Sequence, residues 1–443
     1  VDESIGILGY GVEGRSSLQF LKKQGYHNIY VLDKVEPLDL PADVHFVGDF
    51  KAGIPKNIKT LIRSAGIRWD HPELIAFEKK GGILTSQVEL FFDLVPSKNT
   101  IGVTGTLGKG TCCTLLHQIL KNAGRDVYLG GNIGIPALEL LNSMTPYSLA
   151  VLELSSFQLS TLRRSPHIGI ILKTTSEHLD WHLSQEEYVA SKSHLVRYQK
   201  PIDWTIYYQD QPASVQIAQS SPGKKISVGT QGDLLISKNS WTLSGKTLWL
   251  KEHAFQAHFF LQNAAAAAAA AQTLKVDDSV IEETCQSFVG LEHRLEFCGQ
   301  SSNHVFINDS YATRPDATIG ALEALSQKPS HSVGLILGGS EKNADFTSLV
   351  EQISQQQSVH SVALIGHTAP RLQQMLAEHA QKQGEQPKNM STLPSLEEAL
   401  SFLLTHIPTG TILLSPACAS FGLFKDYKHR GAVFKEWVKK HLG

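Results

Sequence analysis

The stretch Gly102–Cys112, GVTGTLGKGTC, decides how this chain is read. An apolar run, TIGV, leads into it, and a helical pattern, CCTLLHQILKNAG, leaves it. Strand, glycine-rich loop and helix in that order make a phosphate cradle. Gly105 and Gly108 let backbone N–H groups converge on phosphate oxygens, and Lys109 adds a positive charge. The match to the P-loop pattern is imperfect. Val103 stands where that pattern has its first glycine, and Gly110 stands where a Ser or Thr hydroxyl would reach Mg²⁺. Thr111, one residue later, could supply that hydroxyl.

Outward from this loop, three α/β segments follow one another. The first, residues 1–96, opens with the strand IGILGYG, a helix over SSLQFLKKQG and the strand NIYVLD, with shorter strands at TLIRSAG and ILTS. A polar linker at Pro96–Asn99 closes it. The second, residues 97–299, holds the glycine loop, strands SLAVLELS and IGIILKTT, and a helix over SQEEYVASKSHLV. Short alternating strands after about residue 201 suggest a small antiparallel sheet. Eight alanines, Ala264–Ala271, predict a close-packed helix. The third, residues 300–443, has strands at HVFIND, HSVGLILGG, SVALIG and GTILLSPA. Strands alternating with helices imply largely parallel sheets, so the fold class is α/β in three domains.

Composition excludes other classes. The length of 443 residues is enough for about three domains. A net charge of −2 gives no footprint for nucleic acid or an anionic membrane. No apolar run approaches the ~20 residues of a membrane span. The start, VDESIGILGYG, enters a strand with no basic segment ahead of it, so no signal peptide is expected. Cys112, Cys113, Cys285, Cys298 and Cys418 lack C-x-x-C spacing and are expected as free thiols in a cytoplasmic protein.

Other motifs stand at expected strand ends. Gly9–Gly14, GYGVEG, is a complete G-x-G-x-x-G, and Asp33 ends the next strand. Three readings stay open: a nicotinamide enzyme, a tight turn without a ligand, or a loop for the diphosphate of another nucleotide. Glu153, closing SLAVLE, suits a magnesium ligand or a mere cap. His178, in SEHLDWH, gains a metal or substrate role only beside Glu153 and the loop. Lys192 lies on a helix expected to show its lysines to solvent. NDSYAT (Asn308–Thr313), GGSEKNADF (Gly338–Phe346) and SPACASFGLFKDY (Ser415–Tyr427) are small-residue loops after strands and could share one site.

Together these motifs, with SAGIRWDHP (Ser64–Pro72), GGNIGIPAL (Gly130–Leu138), LELSSFQL (Leu152–Leu159) and GLEHRLE (Gly290–Glu296), resemble the Mur ligases along nearly the whole chain. ELSSFQL and SPACAS point to the branch that adds D-glutamate to UDP-N-acetylmuramoyl-L-alanine. The resemblance implies a Rossmann-like N-terminal domain for the uridine nucleotide, a central P-loop ATPase-type domain and a Rossmann-like C-terminal domain for the amino acid. It implies cytoplasmic cell-wall precursor synthesis by a monomer. ATP would convert the alanine carboxylate into an acyl phosphate, which the amine of D-glutamate then attacks.

Roles follow from the same resemblance. Gly105, Thr106, Gly108, Lys109, Gly110, Thr111, Asn263, Arg294 and Asp309 would bind ATP, with Asp309 at the ribose. Gly11, Val12, Glu13, Asp33, Lys34, Ser64, Gly66, Asn132 and Ser155 would hold the UDP substrate. Thr313, Lys342, Ser420 and Tyr427 would hold D-glutamate. Lys109, Glu153, His178 and Lys192 would be catalytic. Two Mg²⁺ ions would rest on Thr111, Glu153, His178 and, if carbamylated, Lys192. Gly110, and Tyr311 in place of a lysine, depart from the family pattern. Ligases of altered amino-acid specificity, or a homologue that binds the UDP-sugar without turnover, share these motifs. An oxidoreductase would leave TGTLGKGT without a role.

Overall fold

A computed structural model describes residues 3–175, 179–237, 240–243, 245–249, 258–288, 290–325, 332–340 and 344–442. They fall into two compact units. The first holds residues 1–251 and 260–287, the second chiefly residues 288–443.

The first unit contains two sheets. One is wholly parallel, in the order β3-β2-β1-β4-β5, with β1 at Ile5–Leu8, β2 at Ile29–Leu32, β3 at His45–Phe46, β4 at Thr60–Arg63 and β5 at Ile83–Ser86. β1 reads IGIL and is buried throughout, as a strand covered on both faces must be. The other sheet has nine strands: β6 (Thr100–Thr104), β7 (Val127–Gly131), β8 (Leu149–Glu153), β9 (Ile168–Ile171), β10 (Trp204–Tyr208), β11 (Lys224–Gly229), β12 (Leu234–Ile236), β13 (Ser240–Leu243) and β14 (Lys246–Trp249). Their order is β14-β13-β12-β11-β10-β9-β6-β8-β7. β6 through β12 are parallel, and β13 and β14 are antiparallel. The short strands after residue 201 therefore extend the parallel sheet and do not build a separate one.

The expected polar linker is also part of the fold. Asn99 is buried, and its amide donates to the carbonyls of Pro146 and Ser148 at 2.8 and 2.9 Å. The alanine tract does form a helix, His258–Thr273, and Ala264–Ala271 are all at most 3% exposed. Small side chains on every face let neighbouring elements approach it closely from all sides.

The second unit has one six-stranded sheet in the order β15-β16-β20-β17-β18-β19. Its strands are β15 (Glu296–Gln300), β16 (His304–Asn308), β17 (Val333–Leu337), β18 (Val359–Ile365), β19 (Asn389–Leu393) and β20 (Gly410–Leu414). All pairs are parallel except β15 with β16. β15 begins ahead of residue 300, where the third segment was expected to start. Sequence reading also passed over β19, whose NMSTL has little apolar signal.

All five cysteines are free. Burial raises the Cys112 thiol far above its ordinary range and pushes Cys285 and Cys298 up to about 12, so none of these three is a ready thiolate.

Candidate active site

β6 ends at Thr104, and the chain turns into the helix Lys109–Asn122. Gly108 caps that helix with φ +85°, and a Cβ there would stand 2.2 Å from the Asn263 Oδ1, so only glycine fits. Asn263 is thus placed against the loop. The Lys109 Nζ folds back to donate to the carbonyls of Gly105 and Thr106 at 3.0 and 2.8 Å. Thr106 belongs to the scaffold. Its amide donates to Lys173 O at 2.8 Å, and its hydroxyl meets Thr175 N, Thr175 O and the Tyr188 hydroxyl at 2.9–3.0 Å. Gly110 is buried in the first helical turn, and Thr111 beside it is half-buried.

Glu153 is brought to the same edge by parallel register, Val103 of β6 facing Glu153 of β8. Its carboxylate is 4% exposed. Oε1 accepts from the Asn132 Nδ2 at 2.7 Å, and Oε2 is buried without a hydrogen-bond partner among the described residues. Asn132, expected at the UDP substrate, therefore stands beside the metal candidate. Lys192 is not a surface lysine. It is 1% exposed, and its Nζ donates to Gly105 O at 2.9 Å and Thr104 Oγ1 at 3.3 Å, 4.6 Å from the Tyr188 ring centre. Lys109 and Lys192 thus share one carbonyl of the loop. His178 and Lys342 lie outside the described residues.

The first glycine motif lines a cleft of about 390 Å³ at the ends of β1, β2 and β4. Gly11, Val12, Glu13, Asp33, Lys34 and Ser64 line it; Gly66, Asn132 and Ser155 do not. A Cβ on Gly14 would stand 2.1 Å from Gly9 O, so the third glycine is needed for strand and helix to approach. Asp33 accepts from the amides of Tyr10 and Lys34 at 2.7 and 2.6 Å. Glu13 accepts from Ala65 N at 2.9 Å and from the Gln158 Nε2 at 2.7 Å. Ser155 caps the short helix Ser156–Leu159 in a reciprocal capping box with Gln158.

Sequence reasoning missed three buried side chains that organise this region. Gln158 ties the Glu13 carboxylate to the helix after β8. Gln87 accepts from Ala137 N at 3.0 Å and donates to Glu13 O at 3.3 Å. Arg63 is 1% exposed and donates to the carbonyls of Ser64, Ala65 and Ile67 and to the hydroxyls of Ser160 and Thr161. Burial pulls its guanidinium down to about 10. Their only sequence signal is polarity inside apolar runs, as in TLIRS.

In the second unit, Asp309 at the end of β16 is 5% exposed. Ser415 Oγ and Leu295 N donate to its carboxylate at 2.7 and 3.1 Å, and burial pushes it up to about 7. The Arg294 guanidinium lies 5.5 Å from the centre of the Tyr311 ring, and Tyr311 meets Tyr427 edge-on at 5.2 Å. Arg430, also missed, is fully buried. It donates to Cys418 O and to the hydroxyl and carbonyl of Ser310, tying two of the small-residue loops together. The third joins through Ser340 N to Ala419 O at 2.8 Å. Ser420 is buried and Thr313 half-buried in these loops.

Among the described residues no cluster of three His, Cys, Asp or Glu forms a metal site, and no helix is long and apolar enough to cross a membrane.

The sequence pattern of the Mur ligase middle domain matches residues 103–271, and that of the Mur ligase glutamate ligase domain matches residues 293–418. A protein of Acetivibrio thermocellus named UDP-N-acetylmuramoylalanine--D-glutamate ligase is 32% identical, over 99% of this chain and 96% of its own. One of the same name from Solibacter usitatus is 33% identical, over 98% and 96%. The crystal structure of MurF ligase from Thermotoga maritima in complex with ADP shares the fold, with a TM-score of 0.61 at 16% identity, over 100% of this chain and 96% of that one. With the Gly105–Gly110 loop, the Glu153 edge and the third sheet each within the matched segments, the chain belongs to the Mur ligase family.

Proposed function

We propose that this protein joins D-glutamate to UDP-N-acetylmuramoyl-L-alanine at the expense of ATP, as a cytoplasmic monomer making a peptidoglycan precursor. The observation that carries the reading is the buried Glu153 Oε2, without a hydrogen-bond partner among the described residues, beside a lysine-bearing phosphate loop. The names of full-length relatives supply the substrates.

The chemistry starts from a poor electrophile. An oxygen of the alanine carboxylate attacks the γ-phosphorus, the bond to the β-phosphate oxygen breaks, and ADP leaves. The amine of D-glutamate then attacks the acyl carbon, phosphate departs and the amine loses a proton. Two anions must meet in the first step, so positive charge must be held ready. Lys109 is that charge, and its fold-back onto Gly105 and Thr106 holds it at the loop.

The residues present fit Mg²⁺, because a hard cation takes carboxylate oxygen and Glu153 offers one that has no hydrogen bond among the described residues. Glu153 and Thr111 would hold one ion; His178 and a carbamylated Lys192 would hold a second. When bound, these ions would offset phosphate charge. The first cleft takes the uridine diphosphate part through Gly11–Glu13, with Asp33 and Lys34 toward the base, and Gly66, Asn132 and Ser155 completing the substrate contacts. Asn263, Arg294 and Asp309 complete the ATP site. Thr313, Lys342, Ser420 and Tyr427 receive the amino acid. The functional segments of this reading are residues 1–96, 97–299 and 300–443, with β15 at Glu296–Gln300 belonging by its sheet to the third.

The test is ADP release measured with each substrate withheld in turn. Release that requires UDP-N-acetylmuramoyl-L-alanine and D-glutamate together is expected. Amide product with L-glutamate alone, or ADP release indifferent to the UDP-sugar, would overturn the reading.

A further inference from the structure

The segment Ser64–Asp70 has two working faces. On one, Ser64 and Ile67 line the diphosphate cleft, Ser64 Oγ donates to Gly9 O at 3.0 Å, and Ala65 N donates to Glu13 at 2.9 Å. On the other stands Arg68. Its Nε and Nη2 donate to the two oxygens of Asp70 at 2.8 and 2.6 Å. Its Nη1 donates to Trp181 O and pairs with Glu187 at 3.0 Å. The guanidinium lies 5.1 Å from the centre of the Trp181 ring, and the Trp181 Nε1 returns a hydrogen bond to Gly66 O at 3.1 Å. One planar cation thus joins a loop of the first sheet to two helices of the second.

Those helices matter to the chemistry. Leu179–His182 follows directly on residue 178, and Gln185–Arg197 carries both Glu187 and the buried Lys192. Trp181 also packs on Phe157, at 4.8 Å between ring centres, and His182 Nε2 meets Ser156 Oγ at 2.8 Å. Ser156 and Phe157 stand three and four residues beyond Glu153. Arg63 donates to the carbonyls of Ser64, Ala65 and Ile67 and so ties the near end of the segment into one piece.

We propose that Arg68 is a positioning residue that couples occupancy of the diphosphate cleft to the helices bearing Lys192, so that the UDP-sugar and the magnesium nucleotide bind cooperatively. This rests on the functional reading above. A ligand that draws Ser64 and Ile67 into the cleft moves the carbonyl of Gly66 and the guanidinium together, and Trp181 and Glu187 follow. Coupling of this kind is reciprocal and typically about 5- to 150-fold.

The test is calorimetric. UDP-N-acetylmuramoyl-L-alanine, and Mg²⁺ with a non-hydrolysable ATP analogue, are titrated alone and each in the presence of the other. Wild-type protein should bind each about tenfold or more tightly when the other is present. In Arg68→Ala that factor should fall to about one, while the affinity for each ligand alone changes by less than about threefold. Arg68→Lys keeps the charge but not the planar fork, and should recover only part of the factor. If Arg68→Ala does not fold, Trp181→Phe, which keeps the ring and loses the bond to Gly66 O, decides by the same measure. An undiminished factor in the folded variant, or no coupling in the wild type, would overturn the proposal. Wild-type protein that binds neither ligand would overturn the functional reading, and this inference with it.

Discussion

At Gly9–Gly14 the chain turns from strand to helix around a carboxylate; at Gly105–Gly110 it turns around an ammonium. Both turns need glycine for steric reasons, and both open at the carboxyl ends of parallel strands. In the first, Glu13 and Asp33 are already held by protein amides, which suits the helix start to an anionic ligand. In the second, Lys109 and Lys192 converge on one carbonyl, and a carboxylate oxygen at the neighbouring strand end has no hydrogen-bond partner among the described residues. The first suits holding a phosphate that does not react. The second suits a phosphate whose charge changes. A glycine pattern therefore states that a phosphate can approach, and the charges around it state what happens to it.

The sharpest way to break this comparison is to remove the charge. Lys109→Ala should lower ADP release by about a thousandfold while UDP-sugar affinity stays within about threefold of the wild type. A comparable loss of UDP-sugar binding would show that the two loops are not separate instruments.

Comparable in size is the strap behind the first loop. Arg63→Ala removes a buried guanidinium that donates to the Ala65 and Ile67 carbonyls and the Thr161 hydroxyl, and should cost about 3 kcal/mol in denaturant unfolding. Arg15, whose pair with Asp39 is 44% and 58% exposed, should cost under about 0.5 kcal/mol on the same substitution. Equal costs would mean that Arg63 does not brace the fold.

Asp309 offers a test by pH. Its buried carboxyl is pushed up to about 7, whereas an unfolded aspartate titrates near ~3.9. Because the folded value is the higher one, the stability carried by its proton is complete below about pH 3.9 and is lost as pH rises through about 7. Asp309→Asn keeps a neutral group there. Its stability relative to wild type should therefore improve by on the order of 4 kcal/mol between about pH 4 and about pH 8. A difference that is flat across that window would refute the shift.

The smallest expected effect concerns Gly110. If Thr111 replaces the hydroxyl that Gly110 lacks, Thr111→Ala should weaken the Mg²⁺ dependence of turnover by about tenfold. Unchanged Mg²⁺ dependence would leave Glu153 as the ligand on that side.

Much of this was legible in the chain. The glycine spacings, the strand before each loop and Glu153 at a strand end are local patterns, and parallel sheets put strand ends where ligands bind. Lys192 was not legible: on the polar helix QEEYVASKSHLVR nothing in the spacing marks its one lysine as 1% exposed. Arg63, Gln87, Gln158 and Arg430 were silent for the same reason, since their partners lie far away in sequence, 97, 50, 145 and 120 residues respectively. The antiparallel strands were visible as strands, but their joining to the parallel sheet depends on β11 and β12 meeting in register.

The sequence by itself determined the α/β class, both phosphate-type loops and the family, because strand alternation, turn glycines and motif order are encoded within a few residues of one another. Only the tertiary structure decided which charges face which. It put Lys192 under the Gly105–Gly110 loop, left one oxygen of Glu153 without a donor among the described residues, and joined the cleft loop to the Lys192 helix through Arg68. Those outcomes depend on packing between segments up to about a hundred residues apart, and no local pattern records which buried charge will find its partner.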